Sequence, residues 1–438
     1  MGEKAMERMY ELAQLILQEA KGRGADFAQC TVSESEKKEF NVDGGRFSLM
    51  RTLFDRNVVI NVLREQRKGT VQINRFDEDA VRAAVAEAVA ATESAEPDPA
   101  WEYASGPVDE SFTEGAPECD TDALFSRTKE LLENINERHP RILIEQIITD
   151  HSTHRSVFLN SRGVCYRSVG GAYHFGLMYS AHEGEKSTSF YGSDVTLKTL
   201  DKPVIEAALF ERELTAIEQQ LDPRPLEGKF VGPVLLAPPA LAEIVLFTIL
   251  GNFASDGCLI EGTSIWKDKL GQQVADPRFS LAFNVRSEDI VEGSHYTGEG
   301  YPAENFDLIK DGKLVAFSLS QYGANKVGGV RSGNTSWNAA MPAGDQALEE
   351  IIAGIDRGVL VMRFSGGEPA PSGEFSGVAK NSFLIENGKI AGALTETMIS
   401  GVVPDMLNNI RAVSSDLLKD GSWSIPYIAF DGVTISGK

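Results

Sequence analysis

Residues 41–74 read NVDGGRFSLMRTLFDRNVVINVLREQRKGTVQIN, and this stretch indicates β-structure. The tripeptide Asp43-Gly44-Gly45 is typical of a tight turn between two strands, because glycine accepts the backbone angles that such turns require. Runs rich in valine, isoleucine and phenylalanine follow it, and a short strand-like run, TVQIN, comes after Lys68-Gly69. We therefore expect a β-meander in this part of the chain.

A second stretch follows the same plan. Residues 158–191 read FLNSRGVCYRSVGGAYHFGLMYSAHEGEKSTSFY, again with strand-like runs separated by glycine-containing turns. Helical periodicity flanks both stretches, and it predicts helices over 4–21, from Asp77 onward, over 121–137 and over 203–220. Because the order of helix, strands and helix occurs twice, the sequence favours a repeat of one helix–meander–helix unit.

Two proline-rich segments divide the chain. Residues 93–119 contain four prolines and many acidic residues without a period, which is typical of a linker, and residues 221–233 form a second such segment. We expect an N-terminal α+β domain, a central α+β domain and a β-rich C-terminal domain, over 1–105, 106–225 and 226–438. The predicted fold class is α+β and multi-domain, with predominantly antiparallel β-sheet and flanking helices.

The composition argues against several classes of protein. The formal net charge is -22, and a surface this negative disfavours contact with the phosphate backbone of nucleic acids. The N-terminal sequence is amphipathic rather than a signal peptide, and no window approaches 18 continuous apolar residues. The four cysteines are widely spaced, which favours reduced thiols. We therefore expect a cytoplasmic protein that binds neither nucleic acid nor membrane.

The common catalytic motifs do not occur in the sequence. A zincin helix carries H-E-x-x-H, but the nearest fragment, His182-Glu183, has Lys186 in the second ligand position. His151 and His154 are predicted to lie at the surface, in a turn between strands. The serine hydrolase pentapeptide and the phosphate-binding loop are also missing from the sequence.

A cysteine nucleophile stays open as an alternative. Cys258 would need a nearby histidine to lower the pKa of its thiol, and His295 is the histidine of the same predicted domain. The simpler interpretation is that Cys258 is a buried structural thiol.

The third predicted domain carries a family resemblance. Residues 232–281, GPVLLAPPALAEIVLFTILGNFASDGCLIEGTSIWKDKLGQQVADPRFSL, are similar to the C-terminal domain of the PmbA/TldD family. Residues 372–410, the closing PYIAFDGVTISG and the N-terminal stretch DFAQCTVSESEKKEFNVDGGRF also fit this family. The resemblance covers nearly the whole chain.

The resemblance implies a departure at the catalytic motif. TldD-type subunits of this family are zinc peptidases with H-E-x-x-x-H before a Gly-Thr-Ser segment and a cysteine ligand near the C-terminus. Counting back from Gly262 without gaps aligns this motif with FTILGN, residues 247–252. Phe247 and Asn252 then occupy the positions of the two histidines, and Thr248 occupies that of the glutamate. Only Gly251, inside the motif, matches the residue that the family has there. No cysteine follows Cys258. Because phenylalanine has no lone pair for zinc and threonine has no carboxylate to accept a proton, we expect no catalytic residue and no metal in this chain.

The resemblance also implies partners. PmbA (TldE)-type subunits share the scaffold without the motif, so the expected partner is a TldD-like catalytic subunit that carries the zinc, and the expected substrate is an extended peptide. A homodimer is expected where that partner is missing. Phe247 and Leu250 are predicted to pack into the core. The alternatives are a self-sufficient hydrolase that uses Cys258 and His295, and a regulatory protein linked to DNA gyrase.

Overall fold

The computed structural model describes residues 2–367 and 369–437, in which helices surround two β-sheets. The α-helices in chain order are α1 (Gly2–Gly22), α2 (Glu78–Ser94), α3 (Thr121–Arg138), α4 (Phe210–Glu218), α5 (Pro238–Leu241), α6 (Asp256–Ile260), α7 (Gln321–Val327), α8 (Leu348–Ala353) and α9 (Val403–Asn408). Within these residues no helix is both long and apolar enough to cross a membrane.

The strands fall into an N-terminal and a C-terminal sheet. The first sheet contains β1 (Phe27–Asp43), β2 (Arg46–Arg64), β3 (Arg67–Ile73), β4 (Val108–Gly115), β5 (Ile142–Asn160), β6 (Val164–Glu183), β7 (Lys186–Ser187) and β8 (Tyr191–Leu197). The second contains β9 (Lys229–Leu236), β10 (Leu281–Phe283), β11 (Phe306–Lys310), β12 (Lys313–Leu314), β13 (Ala339–Ala340), β14 (Arg357–Val361), β15 (Arg363–Gly366), β16 (Glu374–Lys380), β17 (Phe383–Glu386), β18 (Lys389–Ala393), β19 (Thr397–Val402), β20 (Ile410–Lys419) and β21 (Ser424–Ser436).

The first sheet is assembled from two similar units, each of which includes one of the two similar stretches of sequence. Each unit contributes two long antiparallel strands and a shorter third, in the order β1, β2, β3 and then β5, β6, β8. Strands β1 and β5 pair antiparallel from Gln29 opposite Asn160 to Asp43 opposite Gln146, which joins the two units at the centre of the sheet. The predicted α+β class with mostly antiparallel sheet is confirmed, and the order of helix, strands and helix occurs twice.

The predicted turn at His151 and His154 is wrong, because β5 runs through both residues without interruption, while the predicted surface position is correct for His154 alone. His151 is buried and its Nε2 lies 2.7 Å from the carbonyl oxygen of Ala116, which replaces the hydrogen bonds that water would give it. Side chains alternate between the two faces of a strand, so residues three apart point to opposite faces. The pair therefore cannot act as two ligands of one metal ion.

Helices α1 and α2 cover one face of the first repeat. The predicted first helix forms, and Met9, Ala13 and Ile16, which share one side of α1, are buried. Helix α2 begins after Asp77, whose carboxylate accepts a hydrogen bond from the amide of Ala80 at 2.9 Å. These side chains and those of β1 and β2 form one apolar core.

The first sheet continues across the predicted limit at 105/106, whereas the two sheets lie on either side of the limit at 225/226 and only an apolar core crosses it. Strand β1, before residue 105, is hydrogen-bonded to β5 after it. Helix α4 contributes Leu214 and Ile217 to a core that also contains Leu235 and Tyr427 of the second sheet. The limits at 105/106 and 225/226 stay predictions.

A buried carboxyl group connects α4 to the first sheet. Glu213 on α4 accepts hydrogen bonds from the hydroxyls of Tyr191 (3.1 Å) and Ser193 (2.5 Å), both on β8. Its burial raises the pKa of this carboxyl to about 7, with Asp194 and Asp420 contributing in the same direction. The group is therefore partly protonated near neutral pH.

The contact between β3 and α2 allows a test of the packing. Gly69 lies so close to α2 that an added Cβ would overlap the backbone carbonyl oxygen of Ala88, whereas no atom lies within 4 Å of a Cβ added at Gly22. We predict that Gly69→Ala lowers the free energy of unfolding by about 1–3 kcal/mol, and that Gly22→Ala changes it little. Denaturant unfolding of the two variants checks this. Equal free energies of unfolding for Gly69→Ala and Gly22→Ala would contradict the close contact between β3 and α2.

The raised pKa of Glu213 predicts a pH dependence of stability. Because this pKa is about 7 in the folded protein and 4.5 in its ordinary state, the stabilisation is complete below pH 4.5 and is lost as the pH rises through 7. We expect Glu213→Gln to gain stability over the parent between pH 5 and pH 8, by on the order of 3 kcal/mol. Glu206→Gln, an exposed control, should follow the parent. If the free energies of unfolding of the parent and of Glu213→Gln changed with pH in the same way, Glu213 would not carry the buried charge that its raised pKa implies.

Candidate functional site

The site is organised by one helical segment, residues 238–254, which we call the central helix. It begins with Pro238 and Pro239, whose missing amides cost nothing in a first turn, and α5 continues without a break into π-helical turns at Ala242–Leu246 and Ile249–Ala254. Ser255 has extended backbone angles and ends it. The helix packs against the second sheet, and most of its side chains belong to the largest apolar core.

The π-helical turns set which side chains share a face. In an α-helix, residues five apart are separated by about 140° around the axis, whereas π-helical hydrogen bonds connect residues five apart and bring them close to one line. Phe247 and Asn252 have this spacing. The geometry suits the spacing of the H-E-x-x-x-H motif that the sequence aligned with this segment.

Phe247 is half-exposed and not a core residue. Its side chain is 39% exposed, so the prediction that it packs into the core is wrong, while Leu250 is buried as expected. The Phe247 ring centroid lies 5.3 Å from that of Trp337 and 5.9 Å from that of Trp423. We call these three residues the aromatic cluster. Apolar rings with access to solvent are typical of binding surfaces.

The two tryptophans come from loops that are tied together. Asn338 Nδ2 donates a hydrogen bond to the carbonyl of Ser422 at 3.2 Å, and the Met341 amide donates to the carbonyl of Ser424 at 2.8 Å. Sequence reasoning missed Trp337 and Trp423. Each stands after a serine in a segment rich in small polar residues, which is an unusual place for a core tryptophan, and this was the available signal.

Of the other three motif positions, two make hydrogen bonds to backbone carbonyls and the third faces open space. The hydroxyl of Thr248 is buried and donates to the carbonyl of Ile244 at 2.5 Å, so it points along the helix and away from solvent. Asn252 Nδ2 donates to the carbonyls of Pro369 (3.0 Å) and Ala370 (3.3 Å). Gly251 is exposed, and the space beside its Cα is open. The four predicted positions are thus neighbours on one helix, with Phe247 and Gly251 towards solvent.

The residues at these positions do not fit a zinc ion. Phe247 offers no lone pair, the Thr248 hydroxyl is engaged with the backbone, and Asn252 offers only a neutral amide oxygen, which is a poor zinc ligand beside imidazole or thiolate. In the part of the chain that the structure describes, no group of three or more histidine, cysteine, aspartate or glutamate residues is arranged to hold a metal ion. The expectation that this chain has no cofactor of its own stays a prediction.

The structure does not bring Cys258 and His295 together. The Cys258 thiol is buried and donates to the carbonyl of Ser255 at 3.2 Å, and burial raises its pKa, whereas a nucleophile needs a lowered one. The His295 ring stacks on Phe112 at 3.8 Å, and its Nε2 contacts a carboxylate oxygen of Glu114. These contacts favour the structural thiol over the alternative nucleophile.

An acidic cleft of about 410 Å³ lies beside Trp423, at the junction of the two sheets. Its lining includes the carboxyl groups of Asp194, Glu213 and Asp420 and the ring of Pro239. Burial raises the pKa of Asp420, and the neighbouring Asp194 adds to the effect. Among the described residues no ion pair includes these three carboxyl groups, and Arg212, on the same helix as Glu213, pairs with Glu349 and Asp416 instead. The cleft therefore repels anionic ligands.

Comparison with known proteins agrees with this architecture. Residues 228–437 match the model of the PmbA/TldA metallopeptidase C-terminal domain. The metalloprotease PmbA of Escherichia coli O157:H7 is 28% identical over 203 residues, which are 45% of this chain and 44% of that protein. The alignments with curated relatives span about half of the length of each relative.

Solved structures match over a greater length. TldE from Thermococcus kodakarensis superposes with a TM-score of 0.85 at 21% identity, covering 97% of this chain and 100% of that one. A Thermotoga maritima protein whose name links it to modulation of DNA gyrase superposes with a TM-score of 0.82 at 19% identity, covering 98% of this chain and 100% of that one. These likenesses show the fold, and the matched family model shows that residues 228–437 form a C-terminal domain of the PmbA/TldD metallopeptidase family.

Proposed function

We propose that this chain is a non-catalytic, PmbA (TldE)-type subunit that binds an extended peptide for a zinc-containing TldD-like partner. The observation that carries the proposal is the aromatic cluster, because its central residue, Phe247, aligns with the first histidine of the H-E-x-x-x-H motif of TldD-type subunits. A surface of Phe247, Trp337 and Trp423 can hold apolar side chains of a peptide, but it cannot bind zinc or accept a proton from water.

The contacts around the cluster support binding rather than chemistry. Removing an apolar peptide side chain from water at partly exposed rings is favourable in proportion to the area covered. The exposed Gly251 leaves the helix surface beside Phe247 without a side chain, so a peptide backbone has room to approach there. Binding of extended peptides along sheet edges is a common mode in strand-rich proteins. The charge of -22 and the acidic cleft do not favour direct contact with DNA.

The first prediction from this proposed function concerns the isolated chain. We expect the purified protein to contain no stoichiometric zinc by elemental analysis and to leave extended peptides uncleaved, because its helix lacks ligands and a base. Cleavage should appear when a TldD-like subunit with an intact H-E-x-x-x-H motif is added, and should depend on zinc in that subunit. Zinc bound at one ion per chain together with cleavage by this chain alone would refute the proposed role.

The second prediction concerns the aromatic cluster in the assembled pair. Trp337→Ala should raise KM for a peptide with an apolar residue roughly tenfold and leave kcat nearly unchanged, because it removes contact area and no reacting group. Phe190→Ala is the matched control, since Phe190 is similarly exposed but contacts Arg363 elsewhere on the surface. An unchanged KM, or an equal change in both variants, would exclude the cluster from peptide binding.

A further inference from the structure

A pocket of about 480 Å³ opens between α4, α8 and the second sheet, and it shares no residue with the aromatic cluster or the acidic cleft. We call it the α4–α8 pocket. Its floor is a face of the sheet, with the buried side chains of Leu360 on β14, Phe383 on β17 and Tyr427 on β21. Its walls are the two helices, with Ala216 on α4 and Leu348 on α8. The lining is therefore mainly apolar, as in most sites for small molecules.

A network of ion pairs and hydrogen bonds holds the two walls in place. Arg212 Nη2 on α4 lies 3.7 Å from Glu349 Oε1 on α8 and 3.0 Å from Asp416 Oδ1 on β20. The amide of Leu348, the first residue of α8, donates to Asp416 Oδ2 at 2.9 Å. Asp416 thus connects both helices to the sheet. The pocket is formed before a ligand arrives, which lowers the ordering cost of binding.

The charges around the pocket favour an uncharged ligand. Three charged side chains belong to the lining, and each already has a partner of opposite charge. Arg212 pairs with Asp416 and Glu349, and Glu211 lies 3.4 Å from Nη1 of Arg138. A charged ligand would lose its hydration and would have to compete with these pairs.

One hydrogen-bond donor at the pocket wall has no acceptor. Nη1 of Arg212 is buried and has no partner among the described residues, whereas Nη2 of the same guanidinium forms both ion pairs. The guanidinium lies over the floor, with its Cζ 5.8 Å from the ring centroid of Tyr427. A buried N–H without an acceptor costs free energy, which an acceptor on a ligand would recover. The Arg212 side chain as a whole is 33% exposed, so its guanidinium can turn towards a ligand without disturbing the core.

We propose that the α4–α8 pocket binds an uncharged small molecule with an apolar body and a carbonyl group. The body lies on Leu360, Phe383 and Tyr427, and the carbonyl oxygen accepts a hydrogen bond from Nη1 of Arg212. The volume falls within the range of about 300–1,000 Å³ that is usual for such sites. Most of the affinity comes from the apolar area that the ligand removes from water. The proposal does not rest on the aromatic cluster or on a peptidase partner.

Fluorescence titration of the purified full chain with Prodan, an uncharged naphthalene ketone, tests the proposal. Prodan emits at shorter wavelength in apolar surroundings, so we expect a saturable shift of its emission. Ala216→Trp should raise the Kd about tenfold or more, because the indole ring would occupy the pocket. Thr215→Trp, at an exposed position of the lining, is a second variant that fills it.

The matched control is Ala86→Trp on α2. Ala86 is partly exposed, as Ala216 is, but it lies outside the pocket, so this variant should bind Prodan with the Kd of the parent. Circular dichroism establishes that each variant is folded.

The hydrogen bond from Arg212 has its own measurement. Prodan should bind about three- to tenfold more tightly than N-phenylnaphthylamine, an uncharged probe of similar size that lacks a carbonyl group. Arg212→Lys keeps a positive charge near Asp416 but removes the forked guanidinium, so it should reduce this preference. The sulfonate dye ANS, which is charged, should bind the parent more weakly than Prodan does.

Several results would overturn the proposal. They are the absence of saturable Prodan binding, equal Kd values for the parent and both filled variants, tighter binding of ANS than of Prodan, and equal affinities for Prodan and N-phenylnaphthylamine. Binding that Trp337→Ala abolishes and Ala216→Trp does not would place the probe on the aromatic cluster instead. Absence of probe binding, together with protection of α4 and α8 from hydrogen exchange by a TldD-like subunit, would assign the pocket to a protein contact.

Discussion

The account depends on how the central helix is buried. Residues 238–254 pack into the largest apolar core on most of their surface, so only a narrow strip of the helix reaches solvent. Only the side chains on that strip can therefore contact a ligand that arrives from solvent. Phe247 and Gly251 occupy it, and Thr248 is turned inward to its own backbone. The same scaffold can therefore present either metal ligands or an apolar surface, depending on very few side chains.

The two sheets position this strip. The two repeats are joined by the long β1–β5 pairing within the first sheet. Helix α4 is hydrogen-bonded to that sheet through Glu213 and shares an apolar core with the second sheet. The loops with Trp337 and Trp423 are held together by one hydrogen bond from the Asn338 side chain and one between backbone groups of Met341 and Ser424. The aromatic cluster and the acidic cleft beside it are thus built from segments far apart in sequence, at the place where the sheets meet.

The sequence was sufficient for local features and for the family of the C-terminal domain. Glycine-containing turns predicted the hairpins, and helical periodicity predicted α1 and the helix that begins after Asp77, because these features depend on neighbouring residues. The turn at His151 was predicted wrongly because polar residues inside a central strand look like a turn until their partners, such as the Ala116 carbonyl, are known. The exposure of Phe247 and its contact with two distant tryptophans depend on tertiary packing, which spacing alone does not give.

The most direct test of the central claim is the tryptophan fluorescence of the two-subunit complex during titration with a non-cleavable extended peptide. The account predicts a saturable shift of emission to shorter wavelength, as the rings of Trp337 and Trp423 leave water, and no such shift in a Trp337→Phe/Trp423→Phe variant. Peptide binding that is detected by anisotropy of a labelled peptide, with no change in emission from these two tryptophans, would contradict it.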